Sequence, residues 1–199
     1  MFVELAEYLR CPTDPTESTC VVMPDEVIGR AIMTGTIGCP ASNQEYRIDD
    51  GVADFRPADY TLALPEADGD VSSDAGTVQA LLGVATPGGY MVLFGSAAFL
   101  AVDLAERIGG VHFVALNPPE TVEPFPALSV LRGPDPIPLR SSMARGVVLG
   151  REYGVEPWLS EGGRVLLKGL RVVALREDAH IPHVEQLASG DGLWVGQKA

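Results

Sequence analysis

The most constraining feature of the sequence is a strand–helix–strand pattern that fits within the roughly thirty residues of a βαβ unit. Tyr90 to Phe94 (YMVLF) is a short apolar run between glycines, which is typical of a buried strand. Residues 97–108 follow with apolar side chains on one face and end at two glycines, as an amphipathic helix does. His112 to Leu116 (HFVAL) is a second strand run. The pattern predicts an α/β fold with a mostly parallel sheet.

The chain divides into three segments that differ in amino-acid composition and in the pattern of apolar residues. Residues 1–57 hold all three cysteines and several short β-rich runs. Residues 58–76 are acidic and rich in Ala, Asp, Ser and Gly, which favours a solvated linker. Residues 77–199 alternate apolar runs with amphipathic stretches, so we expect the α/β domain there. Its further strand candidates are residues 128–131, 146–149, 164–167, 171–175 and 192–196.

Charge and composition narrow the classes of partner. The 199 residues carry a formal net charge of −13, which disfavours nucleic acid or an anionic membrane as the main partner. No apolar stretch reaches the roughly 18 residues of a membrane span. The N-terminal residues lack the pattern of a signal peptide, and three cysteines is an odd number. We therefore expect a cytoplasmic protein without a disulfide framework.

The first segment carries two short cysteine motifs and a closing signature. Residues 11–14 read CPTD, residues 39–42 read CPAS, and residues 46–55 read YRIDDGVADF. In this order they resemble the small Trm112-like zinc-ribbon module that precedes many bacterial methyltransferases. The resemblance implies a small α+β ribbon in front of a methyltransferase-type domain.

The zinc ligands of that ribbon are altered here. The family has two Cys-x-x-Cys pairs, whereas this chain has Asp14 and Ser42 at two of the four positions, beside Cys11 and Cys39. Structural zinc needs four tetrahedral ligands, usually thiolates and imidazoles. Cys20 is a spare thiol away from the family spacing. Zinc at these four positions is one reading, but we expect a metal-free ribbon in which both cysteines are small apolar side chains.

The second segment resembles class I S-adenosylmethionine-dependent methyltransferases through its pattern, from the entry helix at residue 77 onward. In that family the first strand ends in an acid and a Gly-x-Gly-x-Gly loop follows, which lets the backbone approach the cofactor. This chain has Leu93 at the acid position and Gly95, Ala97 and Phe99 at the glycines. The resemblance implies residual cofactor positions at Gly95, Ser96 and Ala97. We expect Phe99 to pack into the core and help fill a vacated pocket.

Later family positions are altered as well. The acid that binds the ribose hydroxyls at the end of the second strand corresponds to Asn117, which could keep one ribose contact or simply form a turn; we expect the turn. Asp135 stands beside the adenine-contact position and could be a shifted substitute. The Phe-Asp pair before the fourth strand reads Ala144-Arg145. Residues 159–165 (LSEGGRV) match the family's glycine turn into the fifth strand.

Other chemistry is less well supported by the sequence. His180 and His183 are separated by a proline and lack an evident third ligand, so we expect an exposed loop and no metal site. The spacing of a serine-hydrolase elbow is absent around Ser96, and so is the dinucleotide motif G-x-G-x-x-G.

Two functional hypotheses remain. The first is a degenerate, non-catalytic methyltransferase-like protein that acts as a scaffold or as a partner subunit, alone or as a homo-oligomer, with no cofactor and no zinc. The second is an active methyltransferase that uses S-adenosylmethionine on a small-molecule acceptor, with an altered loop around Gly95, Ser96 and Asn117. The simultaneous loss of the motif acids and glycines favours the first hypothesis, and we assign no catalytic residue.

Overall fold

In the computed structural model, residues 1–14, 16–57, 60 and 73–199 are described. The predicted linker 58–76 therefore lies outside the described residues, apart from Tyr60 and residues 73–76. Eleven strands of the described chain form one sheet. Their bounds are Val21–Ile28 (β1), Ala31–Cys39 (β2), Gln44–Asp49 (β3), Val52–Asp54 (β4), Tyr90–Phe94 (β5), His112–Leu116 (β6), Leu128–Arg132 (β7), Ala144–Leu149 (β8), Leu166–Ala174 (β9), Val184–Gly190 (β10) and Leu193–Lys198 (β11).

The helices are short. Within the same ranges the α-helices are Ala75–Leu82 (α1), Ala101–Arg107 (α2) and Trp158–Val165 (α3), and 3₁₀ helices cover Val3–Tyr8, Gly95–Leu100 and Arg151–Tyr153. The Asp74 side chain caps α1 by accepting the Thr77 backbone N–H at 3.0 Å, and Gly83 ends it in the left-handed conformation. None of the helices in this part of the chain has the length and apolar character that crossing a membrane requires.

The sheet order is β1-β2-β3-β4-β7-β6-β5-β8-β9-β11-β10. The central strands β7, β6, β5, β8 and β9 are parallel, whereas β11 is antiparallel to β9 and forms a hairpin with β10. The chain proceeds from β5 outward through β6 and β7, and then returns to the other side of β5 at β8. The strand order therefore reverses between β5 and β8, which is the topological switch point of a doubly wound sheet.

Both faces of the central sheet are covered, so β5 and β6 are buried at every residue. Helices α1 and α2 pack on one face, in a cluster that includes Leu93, Leu104 and Phe113. The N-terminal segment and α3 pack on the other face, in a cluster that includes Leu5 and Phe94. The continuous apolar runs of the sequence reflect this two-sided burial.

The N-terminal segment continues the same sheet. Strand β4 pairs in parallel with β7, residues 52–54 lying against 130–132, and the Phe55 amide donates to the Arg132 carbonyl at 2.7 Å. The two segments also share one buried apolar cluster. The division into residues 1–57 and 77–199 stays a prediction, but within the described chain the two segments are joined by backbone pairing as well as by packing.

The predicted βαβ unit is confirmed, and so is a mostly parallel central sheet. The helix predicted from residue 97 begins with the 3₁₀ turn Gly95–Leu100 before α2. The glycine turn expected at residues 159–165 is wrong, because this stretch lies in α3. Gly162 and Gly163 allow α3 to pack closely: an added Cβ would lie 3.3 Å from a Leu149 methyl and 2.8 Å from an Ile181 methyl. The strand expected at residues 164–167 begins only at Leu166.

Candidate functional site at the strand switch point

In open α/β sheets, ligands bind outside the carboxyl ends of the strands at the switch point. In this chain that location lies beyond Phe94 of β5 and Leu149 of β8. The two segments that leave these ends are the 3₁₀ helices Gly95–Leu100 and Arg151–Tyr153, which contact each other. The predicted cofactor positions Gly95, Ser96 and Ala97 are therefore at the expected place in the fold.

A carboxylate of the chain itself occupies the start of the Gly95–Leu100 turn. Glu152 Oε1 accepts the Ser96 backbone N–H at 2.6 Å, and Glu152 Oε2 accepts the Ser96 hydroxyl at 2.8 Å. A short helix start exposes N–H donors and attracts anions. Here the Glu152 carboxylate, from the neighbouring loop, binds these donors.

The Tyr153 ring covers the adjacent glycine. A Cβ added to Gly95, whose φ is +57°, would collide with the Glu152 carboxylate and with the Tyr153 ring. Tyr153 is only 3% exposed, and its ring packs against Phe94 and Trp158 with centroid distances of 6.0 and 5.1 Å. Burial raises the pKa of its hydroxyl well above the usual range. The absence of a side chain on this glycine thus leaves room for Glu152 and Tyr153 at the start of the turn.

The altered motif positions differ in how deeply they are buried. Leu93 and Ala97 are fully buried in the apolar cluster on the α1 and α2 face. The expectation that Phe99 packs into the core is wrong: the side chain is only half-buried and belongs to neither core cluster of the described residues. The side chain that fills the space beside Gly95 is Tyr153, which comes from the opposite side of the switch point.

The Asn117 side chain, just after β6, is hydrogen-bonded to the backbone of Gly133. Its φ is +47°, and its amide exchanges two hydrogen bonds with Gly133: Nδ2 donates to the carbonyl at 2.9 Å, and Oδ1 accepts the N–H at 2.8 Å. The residue is fully buried. This geometry is that of a turn locked to the end of β7. Asp135 is exposed in the loop between β7 and β8.

Arg145 stands where the family has an acid before the fourth strand, and it has a local structural role. Its guanidinium donates to the carbonyls of Thr86 and Pro87 at 2.9 and 3.0 Å, and to that of Gly88. Gly88 and Gly89 both have positive φ, as a tight turn requires. The three hydrogen bonds from Arg145 stabilise this turn, which leads into β5.

The two cysteine motifs of the first segment do meet. Cys11 and Cys39 are joined in a disulfide, which makes the expectation of unpaired apolar cysteines wrong. The Ser42 hydroxyl lies 3.4 Å from Cys11 Sγ. Asp14 turns toward its own loop, where hydrogen bonds from Ser18 and Thr16 lower its pKa to about 2. Among the described residues, no three side chains of the types His, Cys, Asp and Glu are grouped to hold a metal ion.

The sequence pattern did not reveal a charged network beneath α3. The Arg164 guanidinium donates to both carboxylate oxygens of Glu161, at 2.7 and 2.8 Å, and to Glu17 of the N-terminal segment at 2.8 Å. Glu161, only 8% exposed, also accepts the Ile137 backbone N–H at 2.6 Å. Burial opposes ionisation of Glu17, but hydrogen bonds from Ser141 and the nearby Arg164 outweigh it and hold the pKa of that carboxyl below its usual range.

Glu152 and Tyr153 were likewise missed. One signal could have indicated them: they follow β8 directly, and the carboxyl end of a strand at the switch point is where side chains of a site are expected. The prediction of an exposed loop at His180 and His183 is confirmed, since both are exposed and lie outside the helices and strands.

Comparison with known proteins gives similarity to methyltransferases in solved structures only. No protein-family model and no curated protein matches the chain. A SAM-dependent methyltransferase from Aquifex aeolicus is 12% identical with a TM-score of 0.46, over 66% of this chain and 92% of that one. A chain from the complex between the Haloferax volcanii Trm112 methyltransferase activator and a methyltransferase is 17% identical with a TM-score of 0.41, over 56% of this chain and 61% of that one.

A third structure, assigned as a sarcosine dimethylglycine methyltransferase from Galdieria sulphuraria, is 16% identical with a TM-score of 0.40, over 50% of this chain. The match spans 44% of that protein, so the chain covers less than two thirds of two of these three structures. All three TM-scores lie below 0.5. The strand order and pairing of the chain itself, and not these likenesses, establish its α/β fold.

Proposed function

We propose that the chain is a methyltransferase-like protein that does not transfer methyl groups and that acts by binding another protein, either a different chain or a second copy of itself. The observation that carries the first half of this proposal is the double hydrogen bond from Ser96 to Glu152, with Tyr153 packed beside it. The Trm112-like character of residues 1–57 belongs to the same proposal.

Admission of a cofactor at this loop would disrupt several interactions at once. Glu152 would give up two hydrogen bonds to its carboxylate, 2.6 and 2.8 Å long. Tyr153 would leave a buried position between two aromatic rings. Asn117 would give up its pair of bonds to Gly133 before it could contact a ribose. The first and last of these steps leave the buried polar groups of Ser96 and Asn117 without partners, which costs about 1–3 kcal/mol per group.

The edges of the sheet support a role in protein binding. β1 and β10 are the outermost strands and are mostly exposed. An edge strand presents unpaired backbone N–H and C=O groups that another chain can extend. β1 also exposes four large apolar side chains, namely Val21, Met23, Val27 and Ile28.

A thermal-shift experiment tests the catalytic half of the proposal against the alternative of an active enzyme. A ligand at a hundred times its dissociation constant stabilises the folded state by about 2.7 kcal/mol. We expect no shift of the melting temperature with millimolar S-adenosylmethionine or its demethylated product. A clear stabilisation by either compound would favour the active enzyme.

Light scattering tests the second-copy version of the binding half. We expect the wild type to associate in a concentration-dependent way and Val27→Asp in β1 to weaken that association. Val102→Asp is the matched control, because Val102 is also an exposed valine, 54% accessible, but lies on α2. A wild type that is monomeric at all concentrations would rule out self-association.

A further inference from the structure

A cleft opens at the end of the central strands that is opposite the switch point. It lies beside the amino ends of β6 and β7, where the N-terminal segment meets the α/β domain, and has a volume of about 680 Å³. Its lining is mostly apolar and includes Phe2, Ile28, Met33, His112, Phe125 and Leu128. A volume of this size is within the range of about 300–1,000 Å³ that small-molecule sites occupy.

His112 contributes an uncharged polar side chain to the cleft wall. Its imidazole stacks on the Phe2 ring at a centroid distance of 4.1 Å, and Nε2 lies 2.9 Å from the Ser129 hydroxyl. The same hydroxyl oxygen accepts the Phe2 backbone N–H at 2.8 Å. Ser129 is fully buried, and among the described residues Nε2 is the one acceptor bonded to its hydroxyl, so the hydroxyl hydrogen is assigned to that bond and the imidazole hydrogen to Nδ1.

The second nitrogen of His112 is available to a ligand. Within the described part of the chain, Nδ1 has no hydrogen-bond partner. This nitrogen is also not fully buried, so a ligand in the cleft can reach it. Burial lowers the pKa of His112 to about 4, so the imidazole is neutral near pH 7. A neutral imidazole with a free Nδ1–H donates one hydrogen bond.

The charge of the lining is balanced. Among the described residues that line the cleft, Arg30 has the one charged side chain, and it pairs with Glu4 and lies over the Phe2 ring at 4.9 Å. The Met1 amino group also lines the cleft, but it donates to the Ile32 and Gly51 carbonyls, and burial lowers its pKa to about 6, so it is mostly uncharged at pH 7. A charged ligand would lose its hydration here without meeting an unpaired opposite charge, which is unfavourable. The lining therefore favours an uncharged molecule.

We propose that this cleft binds an uncharged, largely apolar small molecule that presents a carbonyl oxygen to His112 Nδ1. The aromatic and aliphatic side chains supply the contact area, and the single donor fixes the orientation of the ligand. This inference is independent of the proposed function at the switch point, because the two sites lie at opposite ends of the strands.

Three naphthalenes of similar size test the chemistry by equilibrium dialysis against the wild type. We expect saturable binding of one 2-acetylnaphthalene per chain, weaker binding of 2-ethylnaphthalene, which lacks the acceptor, and the weakest binding of anionic 2-naphthoate. Absence of saturation with 2-acetylnaphthalene up to its solubility limit would overturn the proposal. Equal or tighter binding of the anion would overturn the assignment of an uncharged ligand.

Two variants test the location. Met33→Trp fills the cleft and should abolish binding of 2-acetylnaphthalene, whereas Val21→Trp, at the far end of the β1–β2 hairpin, should bind like the wild type. If Met33→Trp does not fold, Ile28→Trp at the exposed rim takes its place, since Ile28 is 62% accessible. Unchanged binding by a folded cleft-filling variant would contradict the location.

His112→Phe tests the hydrogen bond. The change keeps a ring against Phe2 and removes the Nδ1 donor. We expect it to weaken binding of 2-acetylnaphthalene by about 2- to 10-fold, the usual effect of one hydrogen bond, and to leave 2-ethylnaphthalene nearly unchanged. An equal effect on both probes would show that His112 contributes shape alone and would refute its role as the donor.

Discussion

The Glu152 carboxylate accepts two hydrogen bonds from Ser96, one from the backbone N–H at 2.6 Å and one from the hydroxyl at 2.8 Å. These bonds join the loops that leave β5 and β8, the two strands on either side of the switch point. In a doubly wound sheet the gap between such loops is where a ligand binds. In this chain the gap is bridged by its own side chains.

Removal of the Glu152 carboxylate should destabilise the fold. We expect Glu152→Ala to lower the free energy of unfolding by about 1–2 kcal/mol, because the Ser96 donors lose a charged acceptor. Glu152→Gln should cost less, since its amide oxygen can still accept one bond. Chemical denaturation measures both. Glu106→Ala, at an exposed position of α2, is the control and should be neutral; equal losses at both positions would contradict a specific role for Glu152.

Tyr153 should contribute mainly by filling space. Tyr153→Ala removes a buried ring between Phe94 and Trp158, and we expect a loss of about 3–5 kcal/mol. Tyr153→Phe keeps the ring and should stay within about 1 kcal/mol of the wild type. Urea denaturation at fixed pH separates the two cases. If Tyr153→Ala proved as stable as Tyr153→Phe, the ring would not be part of the packed core.

Stability should depend on His112 in mildly acidic solution. Burial lowers its pKa from 6.5 to about 4 in the folded state. The unfolded chain therefore takes up a proton as the pH falls from about 6.5, while the folded protein takes it up only near 4. The free energy of unfolding should therefore decrease as the pH falls from about 6.5 to about 4. Below about pH 4, His112 should cause no further decrease.

The measurement is the free energy of unfolding at several pH values for the wild type and for His112→Gln. We expect a shallower pH dependence in the variant between about 6.5 and 4, because the buried imidazole is gone. His183→Gln, which changes an exposed histidine, should keep the slope of the wild type. Identical slopes in the wild type and His112→Gln would refute the assignment.

A count of free thiols tests the disulfide between Cys11 and Cys39. Cys11 and Cys39 are joined and Cys20 is free, so protein denatured without reductant should show one reactive thiol per chain, and three after reduction. Reduction should also lower stability by about 2–4 kcal/mol. Three thiols before reduction would contradict the bond. One thiol would count against the predicted cytoplasmic location, because disulfides are rare in that compartment.

The central fold was predictable because its signals are local. The runs at residues 90–94 and 112–116 are apolar at every position, since helices cover one face of the sheet and the N-terminal segment covers the other. Strand β10 gave no such signal, because it is an exposed edge strand with little apolar alternation. The Gly162-Gly163 pair predicts a turn from sequence, but in the structure these small residues allow close packing of α3.

The contents of the candidate site depend on contacts between distant residues. Ser96 and Glu152 are 56 residues apart, and Glu17 and Arg164 are 147 apart. Nothing in the local sequence indicates these pairs. Departures from the methyltransferase motif predict an altered cofactor position, but the expectation that Phe99 fills it could be corrected only by the three-dimensional arrangement.

The most direct test of the account is a count of bound cofactor. Equilibrium dialysis of the wild type against radiolabelled S-adenosylmethionine, up to millimolar concentration, measures occupancy without requiring a methyl acceptor. Because Glu152 and Tyr153 occupy the space beside Gly95, we expect no saturable binding. Saturable binding of one S-adenosylmethionine per chain, competed by its demethylated product, would contradict it.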